Sequence, residues 1–241
     1  MSPTYLRLEI LRVLRVPQLL AFTVVLPVAL FLVFASLFDG TQGEVSATAY
    51  SMQSMAAYGS MGAALYSTAT IALERRIGWN RQLRLTPLPP RAYVLVKGLT
   101  GWLVALPGLV LVYVAGAAVG VSMPIWQWTA LAAVTWAALL PFVLLGIGLG
   151  YVGTSESVQA VTTFVVLALA LLGGMWFPIE IMPPMAQTIA QALPSYWLNA
   201  VGRAVMGAPG FGWTGPAVLA GWTAAIAAFA LLRYRADTKR A

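Results

Sequence analysis

Long apolar runs dominate the chain, and six of them approach the roughly 20 residues that a helix needs to cross a bilayer at 1.5 Å rise per residue. The pattern predicts spanning helices over 18–38, 50–73, 98–119, 128–151, 158–176 and 213–232. The expected fold class is an all-α polytopic membrane protein, a single transmembrane domain over 1–241. Ahead of the first run, Leu6, Ile10, Val13 and Leu14 share one helical face, while Glu9, Arg12 and Arg15 lie largely on the other. That division predicts an amphipathic helix within 1–17, lying in the interface plane. Pro17 marks the entry into the membrane. The first run is too long for a signal-peptide core and lacks a small-residue cleavage site, so it reads as a retained helix.

The stretch 177–212 follows a different rule. Pro178, Pro183, Pro184, Pro194 and Pro209 break it, yet it is too apolar for a free loop. Short helices re-entering the outer leaflet are expected there, with their exposed backbone groups covered by protein or water. The second run is polar for a span: Ser51, Ser54 and Tyr58 recur at i, i+3 and i+7 on one face, and Thr162 and Thr163 add hydroxyls in the fifth. Hydrogen bonding between helices is a common use of such groups. Gly116 with Gly120, and Gly146 with Gly150, give small-xxx-small spacings that allow close helix approach, within the chain or to a second copy.

Charge then fixes sidedness. With the six runs threaded in order, every Lys and Arg except Arg203 falls on one side. Arg7, Arg12 and Arg15 precede the first run; Arg75, Arg76, Arg81, Arg84, Arg91 and Lys97 lie between the second and third; Arg233, Arg235, Lys239 and Arg240 follow the last. This positive-inside distribution predicts an inner-membrane protein with both termini in the cytoplasm. Opposite connections are acidic or neutral: 39–49 carries Asp39 and Glu44 without a basic residue, and 120–127 carries no charge.

Composition agrees, since 60% of residues are hydrophobic and only 9% charged, against about 25% charged in soluble domains. Lipid is the expected solvent. The net charge of +7 is confined to inner segments, where it meets anionic headgroups rather than nucleic acid. The chain has no Cys and no His, which removes disulfides, thiolate metal sites and imidazole relays. All seven acids can be placed outside the hydrocarbon centre: Glu9, Glu74, Glu156 and Asp237 inside, Asp39, Glu44 and Glu180 outside. A carrier coupled to protons or sodium normally keeps an ionisable residue near the midplane. Backbone carbonyls binding sodium keep such a carrier as an alternative. A lipid-modifying enzyme would need a convergent catalytic set, and none is found. The phosphate-cradling G-x-x-x-x-G-K-[ST] loop is missing as well, so the chain is not expected to be an enzyme and any ATPase must be another polypeptide.

The inner segment 74–97 mixes Ile77, Trp79, Leu83, Leu85 and Leu88 with Arg81 and Arg84 before Pro87, Pro89 and Pro90 break it. It suits a short helix along the inner surface with apolar residues turned to a partner. A loop that only obeys the topology rule would look similar. Glu74 is either a helix-end charge anchored at the interface or one half of an ion pair that transmits movement. Glu180, between Pro178 and Pro183, either caps the half-helix that follows or forms an outer gate.

Residues 72–101, ALERRIGWNRQLRLTPLPPRAYVLVKGLTG, resemble the region after the second helix of ABC-2 type transporter permeases. Glu74, Arg75, Gly78, Leu85, Thr86, Pro87 and Lys97 match that pattern, while Arg76 and Trp79 depart from it. Residues 146–150, then 173–184 (GGMWFPIEIMPP) and 193–203 (LPSYWLNAVGR), are similar to the family's fifth-helix and outer-helix signature. The resemblance implies a six-helix permease that pairs with a second permease, identical or related. It implies that the inner loop docks on a separate ATP-binding subunit as a coupling helix, with Glu74, Arg75, Arg76, Trp79, Leu83, Arg84 and Leu85 in that contact. ATP and Mg belong to that subunit; no cofactor, metal or catalytic residue is expected in this chain. The amphipathic segment looks like the family's connecting helix. The second and fifth helices would flank the dimer axis, so that Ser54, Tyr58, Thr162 and Thr163 line the substrate path. The implied function is the transmembrane subunit of a bacterial plasma-membrane exporter. The lack of charge inside the membrane points to a lipophilic or amphipathic cargo such as a drug, antibiotic or lipid. A sensor or immunity role against membrane-active antibiotics is the alternative within the family.

Overall fold

The apolar runs become helices in a computed structural model that describes residues 3–37, 41–42, 45–79, 82, 85, 90–208 and 210–240. Asp39, Glu44, Arg81, Leu83, Arg84, Thr86, Pro87 and Pro209 lie outside the described residues. The amphipathic segment is α1 (Pro3–Leu14). The first run is α2 (Pro17–Leu37), which widens into one π-helical turn at Ala21–Val25. Pro27 follows four residues after Thr23 and has no N–H to offer its carbonyl, a common reason for a helix to loosen. A minimal antiparallel pair, β1 (Thr41–Gln42) and β2 (Val45–Ser46), then leads into α3 (Ala47–Ala69). Ser46 caps that helix by accepting from the Ala49 N–H at 3.1 Å.

Thr70 separates α3 from the short α4 (Ile71–Arg76). The third run is α5 (Pro90–Ala118), the fourth is α6 (Ile125–Ala137) and α7 (Leu140–Val152), and the fifth is α8 (Val158–Leu172). The broken stretch resolves into a 3-10 turn at Ile179–Ile181, α9 (Pro184–Ala192) and α10 (Pro194–Val205). The last run is α11 (Thr214–Arg240). Trp79 and Gln82 are also helical, and the other described residues are turn or loop.

Four helical stretches are long and apolar enough to cross a membrane: Pro17–Leu37, Ala92–Ala118, Ile125–Val152 and Thr214–Ala236. The other two predicted spans differ for identifiable reasons. α3 is long but polar, and nearly all of its residues are buried by its neighbours. It is the central helix of the bundle, packed against α2, α5, α7, α8 and α10. α8 stops at Leu172, short of the predicted 176. Its 15 residues extend only about 22 Å at 1.5 Å per residue, less than the hydrocarbon thickness of about 30 Å.

Of the two glycine pairs, only one behaves as a packing pair. A Cβ on Gly146 would fall 2.6 Å from the Leu65 carbonyl oxygen, and one on Gly150 would fall 2.8 Å from Ile71 Cβ. α7 therefore lies almost in backbone contact with α3 and α4, inside the chain. Gly120 instead ends α5: it adopts φ +103°, and the Val121 N–H turns back to the Gly116 carbonyl at 3.0 Å. On the far side of α5, Trp102 and Trp136 stack at 3.8 Å, and each indole N–H donates to the other residue's carbonyl at 2.8 Å. Trp136 thus anchors α6 to α5 just before the Ala138–Leu139 break.

Candidate functional site

Three helices meet at the basic end of the bundle, and each brings a charge there. α1 supplies Glu9 and Arg12, α4 supplies Glu74, and α5 supplies Lys97. Lys97 is 1% exposed and sits between two carboxylates, Glu9 at 3% and Glu74 at 1%. Its Nζ donates to Glu74 Oε1 at 2.5 Å and also to Glu9 Oε1. Thr70 Oγ1 lies 3.4 Å from the same nitrogen. Glu74 Oε1 further accepts from Arg12 Nη1 at 2.7 Å, and its Oε2 accepts from the Tyr93 hydroxyl at 2.6 Å. Arg12, half-exposed, also stands 3.8 Å from Glu9 Oε2.

Two cations thus face two anions. Burying a single ion costs several kcal/mol, so each buried charge must be compensated by close partners. Glu74 meets this condition with three donors. The arrangement links the amphipathic helix, the short α4 that follows the polar central helix and the start of α5 through one set of bonds. A displacement of any one segment must carry the others or break buried ion pairs.

The two arginines after Glu74 face other neighbours. Arg75 donates to the Gly150 and Tyr151 carbonyls at 3.3 and 3.1 Å and lies over the Tyr151 ring at 5.6 Å. It therefore satisfies carbonyls in the last turn of α7, where the helix dipole favours a cation. Arg76 reaches the turn after α7, donating to Ser155 Oγ at 3.2 Å and pairing with Glu156 at 2.7 Å. Glu74, Arg75 and Arg76 in succession bind α1 with α5, α7, and the 153–157 turn.

Outside the membrane-spanning segments, two groups here titrate away from their ordinary values. The Tyr5 phenol on α1 is pushed up to about 12, because burial disfavours the phenolate and the Glu9 carboxylate repels it. The Glu156 carboxyl is lowered, first by the Ser155 hydroxyl, then by its own backbone N–H and, among smaller causes, by Arg76. A depressed carboxyl contributes stability above its unfolded value and loses it as pH falls through the folded one. The pair is exposed, however, and exposed ion pairs contribute little. Glu156→Gln is therefore expected to leave the thermal midpoint at neutral pH nearly unchanged and to weaken only the acid-side decline. A large loss at neutral pH would contradict this reading.

Glu9 is the main correction to the sequence reading of α1. It does not lie on the solvated face with Arg12 and Arg15 but points into the bundle beside Val13, while Leu8 and Leu11 are exposed. The reason is Lys97, 88 positions away, which makes burial of a carboxylate favourable. Lys97 and Tyr93 were not singled out as site residues either. The available signal was Lys97 itself, the last cation before the third apolar run.

The remaining candidates are distributed as follows. Trp79 packs against the core, whereas Leu85 is 89% exposed and Ile77 is also exposed; Leu83 and Arg84 fall outside the described residues. Ser54, Tyr58 and Thr162 are buried within this chain, and Thr163 lies on a more exposed part of α8. Ser54 Oγ accepts from Asn199 Nδ2 at 3.0 Å, Tyr58 packs edge-on to Trp176 at 5.7 Å, and Thr163 Oγ1 is 3.0 Å from the Tyr66 hydroxyl. Glu180, at the opposite end of the bundle, pairs with Arg203 at 3.6 Å. The rings of Tyr50 and Tyr196 lie 5.1 and 5.7 Å from that guanidinium, which accounts for a basic residue among apolar neighbours far from the others.

A bundle of long apolar helices around a polar central one, with buried charges joining its basic end, defines a polytopic membrane protein. The chain belongs to the ABC-2 type transporter family, which it matches over residues 4–206. It is 28% identical over 191 residues to the protein named "Putative transport permease YvfS" from Bacillus subtilis (strain 168), an alignment that covers 78% of each chain. The chain is a transporter permease, and its family implies an ATP-binding subunit as partner.

Proposed function

We propose that this chain is the transmembrane subunit of an ATP-driven exporter in a bacterial plasma membrane, pairing with a second permease and with ATP-binding subunits on the cytoplasmic side. The observation that carries the proposal is the buried Glu9–Lys97–Glu74 junction next to an exposed apolar segment with Ile77 and Leu85. A subunit that docks on that segment would pull α4, and the ion pairs would pass the movement to α1 and α5. All six apolar runs cross the membrane in this reading, with both termini cytoplasmic. Polar α3 is tolerated because its neighbours, not lipid, surround it. Short α8 is completed toward the outer surface by the 3-10 turn, α9 and α10. Glu180 and Arg203 then sit on the outer side, where their ion pair can act as a gate. The cargo is lipophilic or amphipathic, since the seven acids and the basic residues lie toward the two ends.

Two experiments test this. Inverted vesicles holding the permease and its ATPase should accumulate an amphipathic dye only when ATP is supplied and should ignore a hydrophilic one; the reverse selectivity would sink the cargo assignment. Leu85→Asp places a charge on the docking surface and should detach the ATPase while leaving membrane insertion and thermal stability intact. Unchanged co-purification would move the docking surface elsewhere.

A further inference from the structure

A cleft of about 520 Å³ opens at the basic end, between the end of α4, the turn after α7 and the last turns of α11. Arg75, Arg76 and Arg233 line it together with Val152, Thr154 and Ser155. Three cations from two separate parts of the chain therefore converge on a space with the hydroxyl residues Thr154 and Ser155 at one wall. Arg75 is held by the α7 carbonyls and Tyr151, so its position is fixed. Among the described residues Arg76 is held by exposed Ser155 and Glu156, a contact that costs little to exchange. Arg233 is exposed, with its guanidinium 5.5 Å over the Phe229 ring.

The apolar surroundings of the cleft decide what kind of anion fits. Val152 in its wall is exposed, as are Leu73 and Leu232, the chain neighbours of the lining residues Ala72 and Arg233. Charged donors in the cavity and exposed apolar residues on the segments that form it match a phosphate headgroup with its acyl chains alongside. A soluble phosphate would leave those apolar residues unused, and an acidic protein surface would not need them. We propose that this cleft binds the phosphate of an anionic phospholipid in the inner leaflet, clamping α4 to α7 and α11 at the membrane surface. Basic pockets between helices on the cytoplasmic side are suited to this chemistry. The inference rests on the proposed sidedness, with the basic end at the inner leaflet, but not on the direction of transport or on the cargo.

Native mass spectrometry of the full chain, purified with any subunits it retains, tests this with dioleoyl-phosphatidylglycerol and dioleoyl-phosphatidylcholine added in equal amounts. The native protein is expected to retain the anionic lipid preferentially. Arg233→Gln and Arg76→Gln should each lower that preference about fivefold, the effect of one cation near an anionic surface. Arg235→Gln, on the same helix but outside the cleft, should not. Inorganic phosphate at millimolar concentration should fail to displace the lipid. Equal retention of both lipids, or a preference that survives the two variants, would overturn the site. Displacement by inorganic phosphate would assign it to a soluble anion instead. Variants that keep the lipid but lose the ATPase would assign it to a protein partner.

Discussion

Lys97→Met is expected to cost this protein about 3–5 kcal/mol, the usual penalty for removing one partner of a buried ion pair. The reason is local and quantitative. Without Lys97, Glu9 and Glu74 remain in a site where each is at most 3% exposed, and among the described residues half-exposed Arg12 is the only cation left bonded to them. Folded yield in detergent and the midpoint of thermal unfolding would show the loss. Replacing all three charges at once, with Glu9→Gln, Glu74→Gln and Lys97→Met, should recover much of the stability, because neutral side chains of similar size no longer need compensation. Transport driven by ATP should not recover with it, since the bonds that carry the movement would be gone. A Lys97→Met protein as stable as the native one would refute the buried junction. A triple variant that transports normally would leave the junction in place but deny it a role in coupling.

Gly146→Val is the second large effect, and it tests the packing of the central helix. The added Cβ alone would sit 2.6 Å from the Leu65 carbonyl oxygen, a backbone atom that cannot turn aside. Overpacking of this kind costs about 1–3 kcal/mol and more where the backbone must shift, so α7 would have to separate from α3. Gly221→Ala supplies the contrast, because nothing lies within 4 Å of a Cβ there. That substitution should be neutral or stabilise by up to about 1 kcal/mol, the helix-propensity difference between the two residues. Equal tolerance of both changes, read from folded yield and thermal midpoint, would mean that α3 and α7 are not in close contact.

Much of the helical architecture is legible in the residue pattern, because apolar length is a property of contiguous segments. Helices stand at all six predicted positions, and the family that the motifs near Glu74 and between 173 and 203 resemble is the one the chain matches over residues 4–206. What the pattern does not carry is partnership between distant residues. Helical periodicity puts Glu9 with Arg12 and Arg15, and only the arrival of Lys97 from α5 turns it inward. The polarity of α3 is visible in sequence, but its resolution is not. Gln53, buried among apolar side chains, is accommodated because Tyr113 donates to its Oε1 at 2.7 Å and Thr135 lies 3.2 Å from its Nε2. The two glycine pairs look alike as text; one is a helix contact and the other includes a helix end.

The most direct test of an ATP-driven permease is gentle purification of the chain from native membranes, with intact-mass analysis of everything that accompanies it. An ATP-binding subunit in equal number to the permease is the predicted result. A chain that purifies alone, and still moves substrate in vesicles that contain no ATP, would contradict it.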